Sequence, residues 1–304
     1  MINLYCVGDN NVDIYLHTGT VYPGGCCLNV AAVAAMNGHK AAFVSAVGKD
    51  RLGDLQADSL AALGVDVSHL HRIDAQTAWC FITVKDGDRI FGEHDPGAKA
   101  ELPISAEDIK LGQNGEYDVI YTSLDARYAP GAIEQFGESD IPSICDFTTR
   151  WTEELLEDYC RYFDYAYISF EDLEEDKVKK ILMDCVDKFG VKLALGTMGM
   201  RGSMVYNGRR FYRQGSYKVK TADSLGAGDS FLSTFTVSYF DGLKMLDNWM
   251  REPAMQDAID GYNECVDGLI EQSLRLAALR AARTCQNLGG IGFGIPFENW
   301  MIGR

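Results

Sequence analysis

Asp223-Ser224-Leu225-Gly226-Ala227-Gly228-Asp229 stands directly before an apolar run that begins with Ser230-Phe231-Leu232. The pattern is typical of a glycine-rich turn at the start of a helix, where unpaired N–H groups and a partial positive charge attract phosphate. Glycine allows the backbone to approach that phosphate closely. A carboxylate beside the anion is explained if it accepts the proton of a hydroxyl that attacks phosphorus. The segment therefore predicts phosphoryl transfer to an alcohol.

The last four residues of this segment, Gly226 to Asp229, each have a predicted role and a simpler alternative. Asp229 is the predicted catalytic base, although acidic residues are also common in the first turn of a helix. Gly226, Ala227 and Gly228 would donate backbone N–H groups to the oxygens of the transferring phosphoryl group. A tight turn with positive φ would require the same glycines. The chain contains no G-x-x-x-x-G-K-[ST] motif, so a Walker A loop is excluded.

The composition is that of a folded, acidic protein. The chain has 304 residues, of which 47% are hydrophobic and 24% charged, so it can bury a core and is not disordered. A net charge of -16 argues against a long nucleic-acid interface. No run of about 18 apolar residues is present, so we expect no contact with a membrane. The nine cysteines include no C-x-x-C pair and no signal peptide is visible, which predicts reduced thiols in a cytoplasmic protein.

Strands and helices alternate through most of the chain. This alternation predicts a mostly parallel sheet with helices on both faces, and the length allows one large domain or two. The predicted strands are Leu4–Val7, Ala41–Val47, Tyr117–Tyr121, Ser143–Phe147, Tyr165–Ser169 and Lys192–Gly196, and the predicted helices are Leu52–Leu63, Glu174–Phe189, Ala227–Phe240 and Ser273–Leu288. A β-hairpin predicted between Ala78 and Phe91 breaks the alternation and indicates a small, separate β-sheet.

A second group of polar residues lies in the N-terminal part of the chain. Gly24-Gly25 and Asn29 precede the small-residue helix predicted over Val30–Ala35, and Asp13 lies shortly before them. Short polar side chains beside glycines suit the recognition of sugar hydroxyls, because each makes directional hydrogen bonds. Asn29 could instead cap the helix, and from the residues alone the two roles are equally supported.

Four motifs in the same order resemble those of the ribokinase/PfkB carbohydrate kinases. They are the segment ending at Asp229 and, upstream of it, Gly8–Asp13, Gly24-Gly25 with Asn29, and Gly196–Gly202. The resemblance covers nearly the whole chain. It implies a single kinase domain over residues 1–304 with an α/β fold, a ribokinase-like three-layer α/β/α sandwich with a central, mostly parallel sheet. It also implies a small β-sheet lid formed by about residues 12–22 and 76–98.

The resemblance also implies an activity and a site. We expect an ATP- and Mg2+-dependent kinase that phosphorylates the primary hydroxyl of a sugar, with a monovalent cation such as K+ as a further cofactor and a homodimer formed through the lid. The sugar-binding residues implied are Asp13, Gly25, Asn29, Asn11 and Arg89. The nucleotide-binding residues implied are Thr197, Gly199 and Gly202.

The metal site is the least defined part of this expectation. The family has an Asn-x-x-Glu element after the strand at Tyr165–Ser169, whereas this chain has Ser169-Phe170-Glu171-Asp172. Glu171 and Asp172 are the candidates for ordering the metal, and the altered pattern does not decide between them.

The acceptor sugar remains open among several classes. A narrower resemblance, carried by Gly8–Tyr15, Gly64–His69 and Asp88–Gly92, is to the family members that act on fructosamines such as fructoselysine. The alternatives are another ketose, 2-keto-3-deoxygluconate or a nucleoside. A protein that binds a sugar or nucleotide without turnover is a further alternative, because a fold does not determine activity.

Overall fold

The computed structural model describes residues 1–85, 88–251 and 259–303, with residues 84, 85, 88, 89, 259 and 260 described through their backbone only. The strands are β1 Asn3–Val7, β2 Asn11–Tyr15, β3 Thr20–Gly24, β4 Lys40–Val44, β5 Ala46–Gly48, β6 His71–Ile73, β7 Trp79–Lys85, β8 Asp88–Asp95, β9 Val119–Ser123, β10 Ser143–Asp146, β11 Tyr165–Ser169, β12 Leu193–Thr197, β13 Ser203–Tyr206, β14 Phe211–Gln214 and β15 Ile295–Pro296. The α-helices are α1 Cys26–Met36, α2 Arg51–Ala62, α3 Ala98–Glu101, α4 Ala106–Leu111, α5 Glu153–Tyr159, α6 Glu175–Met183, α7 Ala227–Met250 and α8 Ile259–Thr284.

The central sheet has eight strands in the order β14-β13-β12-β11-β10-β9-β1-β4. All neighbours from β12 to β4 pair in parallel, whereas β13 and β14 form an antiparallel edge. Alternate residues of β1 face opposite layers, since Leu4 belongs to the core that includes α1, α7 and α8 while Tyr5 belongs to the core that includes α4, α5 and α6. The predicted three-layer sandwich is confirmed.

A second sheet has five strands in the order β15-β3-β2-β7-β8. Its β7–β8 hairpin and its β2–β3 pair fall in the two segments predicted for the lid, and the hairpin turn itself lies outside the described residues. The pairing of β2 with β7 is parallel and the other three pairings are antiparallel. The sequence patterns missed β15, which adds the C-terminal Ile295 to the edge beside Val21.

Three predicted elements differ from the structure. The single strand predicted over Ala41–Val47 is wrong, because β4 ends at Val44 and β5 pairs with β6 in a separate two-stranded sheet. Buried Asn10 stabilises the break, since its amide donates to the carbonyl of Ala46 at 3.0 Å and its Oδ1 accepts from the Ser45 hydroxyl at 3.3 Å. The helices predicted over Ala227–Phe240 and Ser273–Leu288 are 24 and 26 residues long in the structure, because the acidic segment Asp241–Gln272, predicted to be helical in parts, continues both.

Candidate active site

Polar residues collect where the parallel strands of the central sheet end. Asp9 follows β1, Asp125 follows β9, and Asp146, Ser169 and Thr197 are the last residues of β10, β11 and β12. The carboxyl ends of parallel strands lie at one edge, which is where ligands bind in open α/β sheets. This edge therefore defines the candidate active site.

The N-terminus of α7 has the geometry predicted for an anion site. Gly226 has a φ of +73° and caps the helix, and a Cβ there would lie 2.6 Å from the Cα of Gly290, so the position requires glycine. The Ala227 N–H donates to the carbonyl of Ser224 at 3.2 Å, whereas the N–H groups of Gly226 and Gly228 donate to none of the described residues. Gly228 also has open space around it.

Asp223 stabilises this turn through three hydrogen bonds. Its carboxylate accepts from the N–H of Leu225 at 2.9 Å, the N–H of Gly289 at 3.0 Å and the hydroxyl of Tyr15 at 2.5 Å. Tyr15 is the last residue of β2, so one hydrogen bond connects the small sheet to the start of α7. The predicted anion site and the predicted lid are thus joined by a hydrogen bond.

The predicted base and the predicted sugar-binding asparagine are in direct contact. The amide of Asn29 donates to Oδ2 of Asp229 at 2.7 Å, across a separation of 200 residues in the chain. Asn29 is only 3% exposed, and its Oδ1 has no hydrogen-bond partner among the described residues. A buried acceptor without a partner is costly in a folded protein, so this atom is a candidate for binding a ligand hydroxyl.

Asn29 does not cap α1, and that alternative is wrong. The helix begins earlier, at Cys26, because Asp9 accepts hydrogen bonds from the N–H groups of Cys26 at 2.8 Å and Cys27 at 3.3 Å. Asn29 consequently lies within the helix, where its N–H donates to the carbonyl of Gly25. Its side chain is available for the contact with Asp229.

The other predicted sugar-binding residues surround the start of α1. Asn11 donates to Oδ1 of buried Asp13 at 3.0 Å, and a Cβ at Gly24 would lie 2.1 Å from Oδ2 of the same carboxylate. Gly25 has a φ of +107°, and a Cβ there would lie 2.5 Å from the Cα of Asn10. The glycine pair thus makes room for Asp13 and brings β2 close to α1. The side chain of Arg89 lies outside the described residues.

The predicted nucleotide-binding residues form a turn after β12. The Thr197 hydroxyl donates to Oγ of Ser169 at 3.2 Å, which joins the ends of two neighbouring strands. Gly199 and Gly202 have φ values of +54° and +91° and flank a short 3-10 turn. A Cβ at Gly202 would lie 2.1 Å from the carbonyl of Gln214, so this glycine is explained by close packing, whereas Gly199 has open space around it.

Glu171 and Asp172 are exposed and line a cavity of about 320 Å³ together with Thr149 and Trp151. Mg2+ prefers oxygen ligands and usually retains several waters alongside one or two carboxylates and substrate phosphates. The two exposed carboxylates fit a metal held in this way.

Sequence reasoning missed a second carboxylate beside the predicted base. Ligand atoms of Cys26, Asp146 and Asp229 all lie within 4.8 Å of one another. Burial raises the pKa of Asp146 to about 8, and the negative charge of Asp229 adds to the increase. A thiol is a poor ligand for Mg2+, so this group does not fit that metal. Asp146 is instead a buried carboxyl group of raised pKa next to the predicted base.

The backbone beyond Asp146 has an unusual conformation. Thr148 has a φ of +52°, which β-branched residues rarely adopt. Its N–H donates to Oδ1 of Asp146 at 2.8 Å and its carbonyl accepts from the N–H of Ser169 at 2.9 Å. The turn directs Arg150 toward Asp125, with Nε 2.7 Å from Oδ1.

Comparison with known proteins identifies the family. The model of the pfkB family carbohydrate kinases matches residues 1–292. The chain belongs to the pfkB family. It is therefore an ATP-dependent sugar kinase, as the motifs predicted.

Two relatives of this pfkB kinase are named as kinases of fructoselysine or of fructosamines. The chain is 30% identical over 245 residues to fructoselysine 6-kinase from Escherichia coli, covering 81% of this chain and 92% of the relative. It is 28% identical over 306 residues to fructosamine kinase FrlD from Bacillus subtilis, covering 98% and 95%. A solved fructokinase double mutant from Vibrio cholerae, with fructose, ADP and potassium bound, has a TM-score of 0.72 at 20% identity and covers 99% and 97%.

These comparisons confirm the family, the fold and the kinase activity, while the individual site residues of this pfkB kinase stay predictions. Among the described residues, even the 26-residue α8 contains no apolar segment that could span a membrane.

Proposed function

We propose that this pfkB kinase transfers the γ-phosphoryl group of ATP to the terminal primary hydroxyl of a fructosamine such as fructoselysine. The bond between the γ-phosphorus and the oxygen of ADP breaks, the sugar oxygen bonds to phosphorus, and Asp229 accepts the hydroxyl proton. The names of the two curated relatives support this substrate class. So does the abundance of carboxylates at the site, because a protonated amine on the sugar is attracted by them.

The hydrogen bond from Asn29 to Asp229 carries the proposal. It links the residue best placed to be a base to a residue predicted to bind sugar. A general base acts only when it lies within hydrogen-bond distance of the proton that it removes. A sugar hydroxyl bound by Asn29 Oδ1 and Asp13 would be directed toward Asp229 and the start of α7.

The phosphates would bind on the other side of Asp229. The N–H groups of Gly226 and Gly228 are oriented by the αL turn and the helix start, and the Ala227 N–H would exchange its long contact with Ser224 for a phosphoryl oxygen.

Thr197, Gly199 and Gly202 would border the nucleotide. Glu171 and Asp172 would bind Mg2+ through water, and the metal would neutralise charge on the phosphates. A K+ site is proposed from the potassium-bound fructokinase.

The small sheet would act as a lid and as a dimer interface. A closing lid excludes water, which otherwise competes with the sugar for the phosphoryl group. Leu16, Ile90 and Phe91 expose about half of their surface on this sheet, and the last two lie on its edge strand β8. Pairing of two lids would cover these apolar side chains and that edge.

We also place the enzyme in the cytoplasm, since its nine cysteines are all free thiols.

The test is a screen for ADP release with wild-type enzyme and the Asp229→Asn variant. The acceptors are fructoselysine, fructose, 2-keto-3-deoxygluconate and a nucleoside. We expect the highest kcat/KM with fructoselysine and a loss of about 1,000-fold in kcat for Asp229→Asn. Asp247→Asn, on the same helix but 18 residues away, is the matched control and should retain activity.

Three results would contradict the proposal. Wild-type turnover by folded Asp229→Asn would remove Asp229 as the base. Preference for another acceptor would reassign the substrate, and tight binding of a sugar without any ADP release would indicate the sensing function.

A further inference from the structure

An ion pair of unequal exposure lies next to the proposed sugar site. Nε of Arg150 is 2.7 Å from Oδ1 of Asp125, with side-chain exposures of 72% and 25%. Among the described residues, this Oδ1 accepts no hydrogen bond of good geometry. The pair is therefore close but poorly aligned. Because the guanidinium is largely exposed, water can solvate it once a cationic group of a ligand takes its place beside the carboxylate.

The contacts of Cys26 keep Asp125 within one sugar's length of the proposed base. Sγ of Cys26 lies 3.8 Å from Oδ2 of Asp125 and within 4.8 Å of the Asp229 carboxylate. A fructosamine has its reacting hydroxyl at one end of a six-carbon chain and its amine at the other. With the hydroxyl at Asp229, the amine can reach Asp125.

The electrostatic surroundings favour a cation at this point. Burial and the negative charge of Asp9 raise the pKa of the Asp125 carboxyl, and Arg150 and Lys99 offset only part of that increase. Lys99 donates to the backbone carbonyl of Asn10 at 2.9 Å. A substrate ammonium would supply a better-directed partner than the exposed guanidinium.

We propose that Asp125 and Arg150 form a specificity-determining pair for glycated amino acids. Asp125 binds the protonated amine of the substrate, and Arg150 moves aside to bind its carboxylate. This inference rests on the proposed fructosamine kinase activity and assigns the recognition of the amino acid part to two residues. The strained turn at Thr148 positions Arg150 for this role, and strain of this kind is concentrated at ligand sites.

The experiment compares three acceptors that differ by one group at a time. Fructose has no amine, 1-deoxy-1-methylamino-fructose adds the amine, and fructosylglycine adds the carboxylate. We measure kcat/KM for wild type, Asp125→Asn, Arg150→Met and Arg161→Met. Arg161 also forms an exposed pair with an aspartate, at 3.3 Å from Asp158 on α5, and is the matched control.

Each variant should change a different ratio. Asp125→Asn should lower the preference for methylamino-fructose over fructose by about tenfold or more, since an aligned charge pair is lost. Arg150→Met should lower the preference for fructosylglycine over methylamino-fructose by about tenfold. Arg161→Met should change neither ratio. Each ratio compares kcat/KM for two acceptors on the same variant, so a general loss of stability does not change it.

The outcomes separate this inference from the proposed function. If wild type phosphorylates fructosamines but both variants lose activity equally toward all three acceptors, the pair is not specificity-determining and the inference fails. If wild type phosphorylates fructoselysine but not fructosylglycine, the role of Arg150 in binding the carboxylate is overturned. If wild type phosphorylates no fructosamine, the proposed function itself fails.

Discussion

The sugar side and the nucleotide side of the candidate site are built in different ways. On the sugar side, Asp9, Asp13 and Asn29 are buried, hydrogen-bonded side chains: Asp9 accepts from the Cys26 N–H, Asp13 accepts from Asn11, and Asn29 donates to Asp229. On the nucleotide side, Gly199 and Gly202 shape the backbone, and Glu171 and Asp172 are exposed. Directional, buried side chains discriminate between sugars, whereas a turn of backbone suits a nucleotide bound largely through its phosphates.

The strongest test of this difference substitutes one glycine on each side. Gly25→Ala should destabilise the protein by at least about 3 kcal/mol, because the new Cβ meets the backbone of Asn10 at a φ of +107°. Gly199→Ala also has positive φ but open space, so only the strain of about 1 kcal/mol applies. Urea unfolding of both variants measures the two values. Equal losses of stability in the two variants would show that the sugar side is packed no more tightly than the nucleotide side.

A second comparison separates a functional hydrogen bond from a structural one between the same two helices. Asn29 donates to Asp229, and Asn37 donates to Oγ1 of Thr234 at 2.9 Å, so both connect α1 to α7. Each alanine variant should lose about 1 kcal/mol of stability. Only Asn29→Ala should lower kcat/KM, by about 30-fold, since the base and the sugar lose their orientation. Steady-state kinetics on both folded variants provides the test, and equal activity would contradict the assigned site.

Sequence reasoning identified only some of the residues of the candidate site. It identified those that belong to short local motifs and missed those that the fold brings in from distant parts of the chain. Asp229 and Gly226 occur in a short motif whose local pattern already indicates a helix start, and Asn29 closely follows the glycine pair Gly24-Gly25. Cys26 and Asp146 carry no such motif. They reach the site because β1, β9 and β10 are neighbours in the sheet, and a single sequence does not specify that strand order.

The fold shows the same division between local and distant contacts. The parallel strands were predicted because continuous apolar runs mark buried strands. Strand β15 was missed because two residues form no recognisable pattern and pair with β3 more than 270 positions away. The acidic segment between α7 and α8 was predicted to be helical only in parts, and the ends of the two helices within it were not located, because it lacks the apolar periodicity of a fully buried helix.

Asp146 provides a smaller, pH-dependent test of the sugar side. Its pKa of about 8 in the folded protein exceeds its ordinary value of 3.8, so the folded state retains a proton that the unfolded chain has released. Stability therefore falls as pH rises from about 4 to about 8. Asp146→Asn removes this loss and should gain at least about 1 kcal/mol relative to wild type between pH 5 and pH 8. Urea unfolding at both pH values measures the gain.

The control for this test is Asp158→Asn, which changes an exposed carboxylate on α5. Its stability relative to wild type should not change between the two pH values. If Asp146→Asn behaves in the same way, burial of that carboxyl group does not control its protonation.

The smallest expected effect concerns the turn beyond Asp146. Thr148 has a φ of +52°, a conformation that asparagine tolerates much better than a β-branched residue. Thr148→Asn should therefore stabilise the protein by about 0.5–1 kcal/mol, as measured by urea unfolding. Thr148→Val retains the branching without the hydroxyl that accepts from the Arg150 N–H at 3.3 Å, and it should not stabilise the protein. If Thr148→Asn is neutral or destabilising, the contacts of threonine outweigh its strain, and the turn is held by side-chain bonding as on the sugar side.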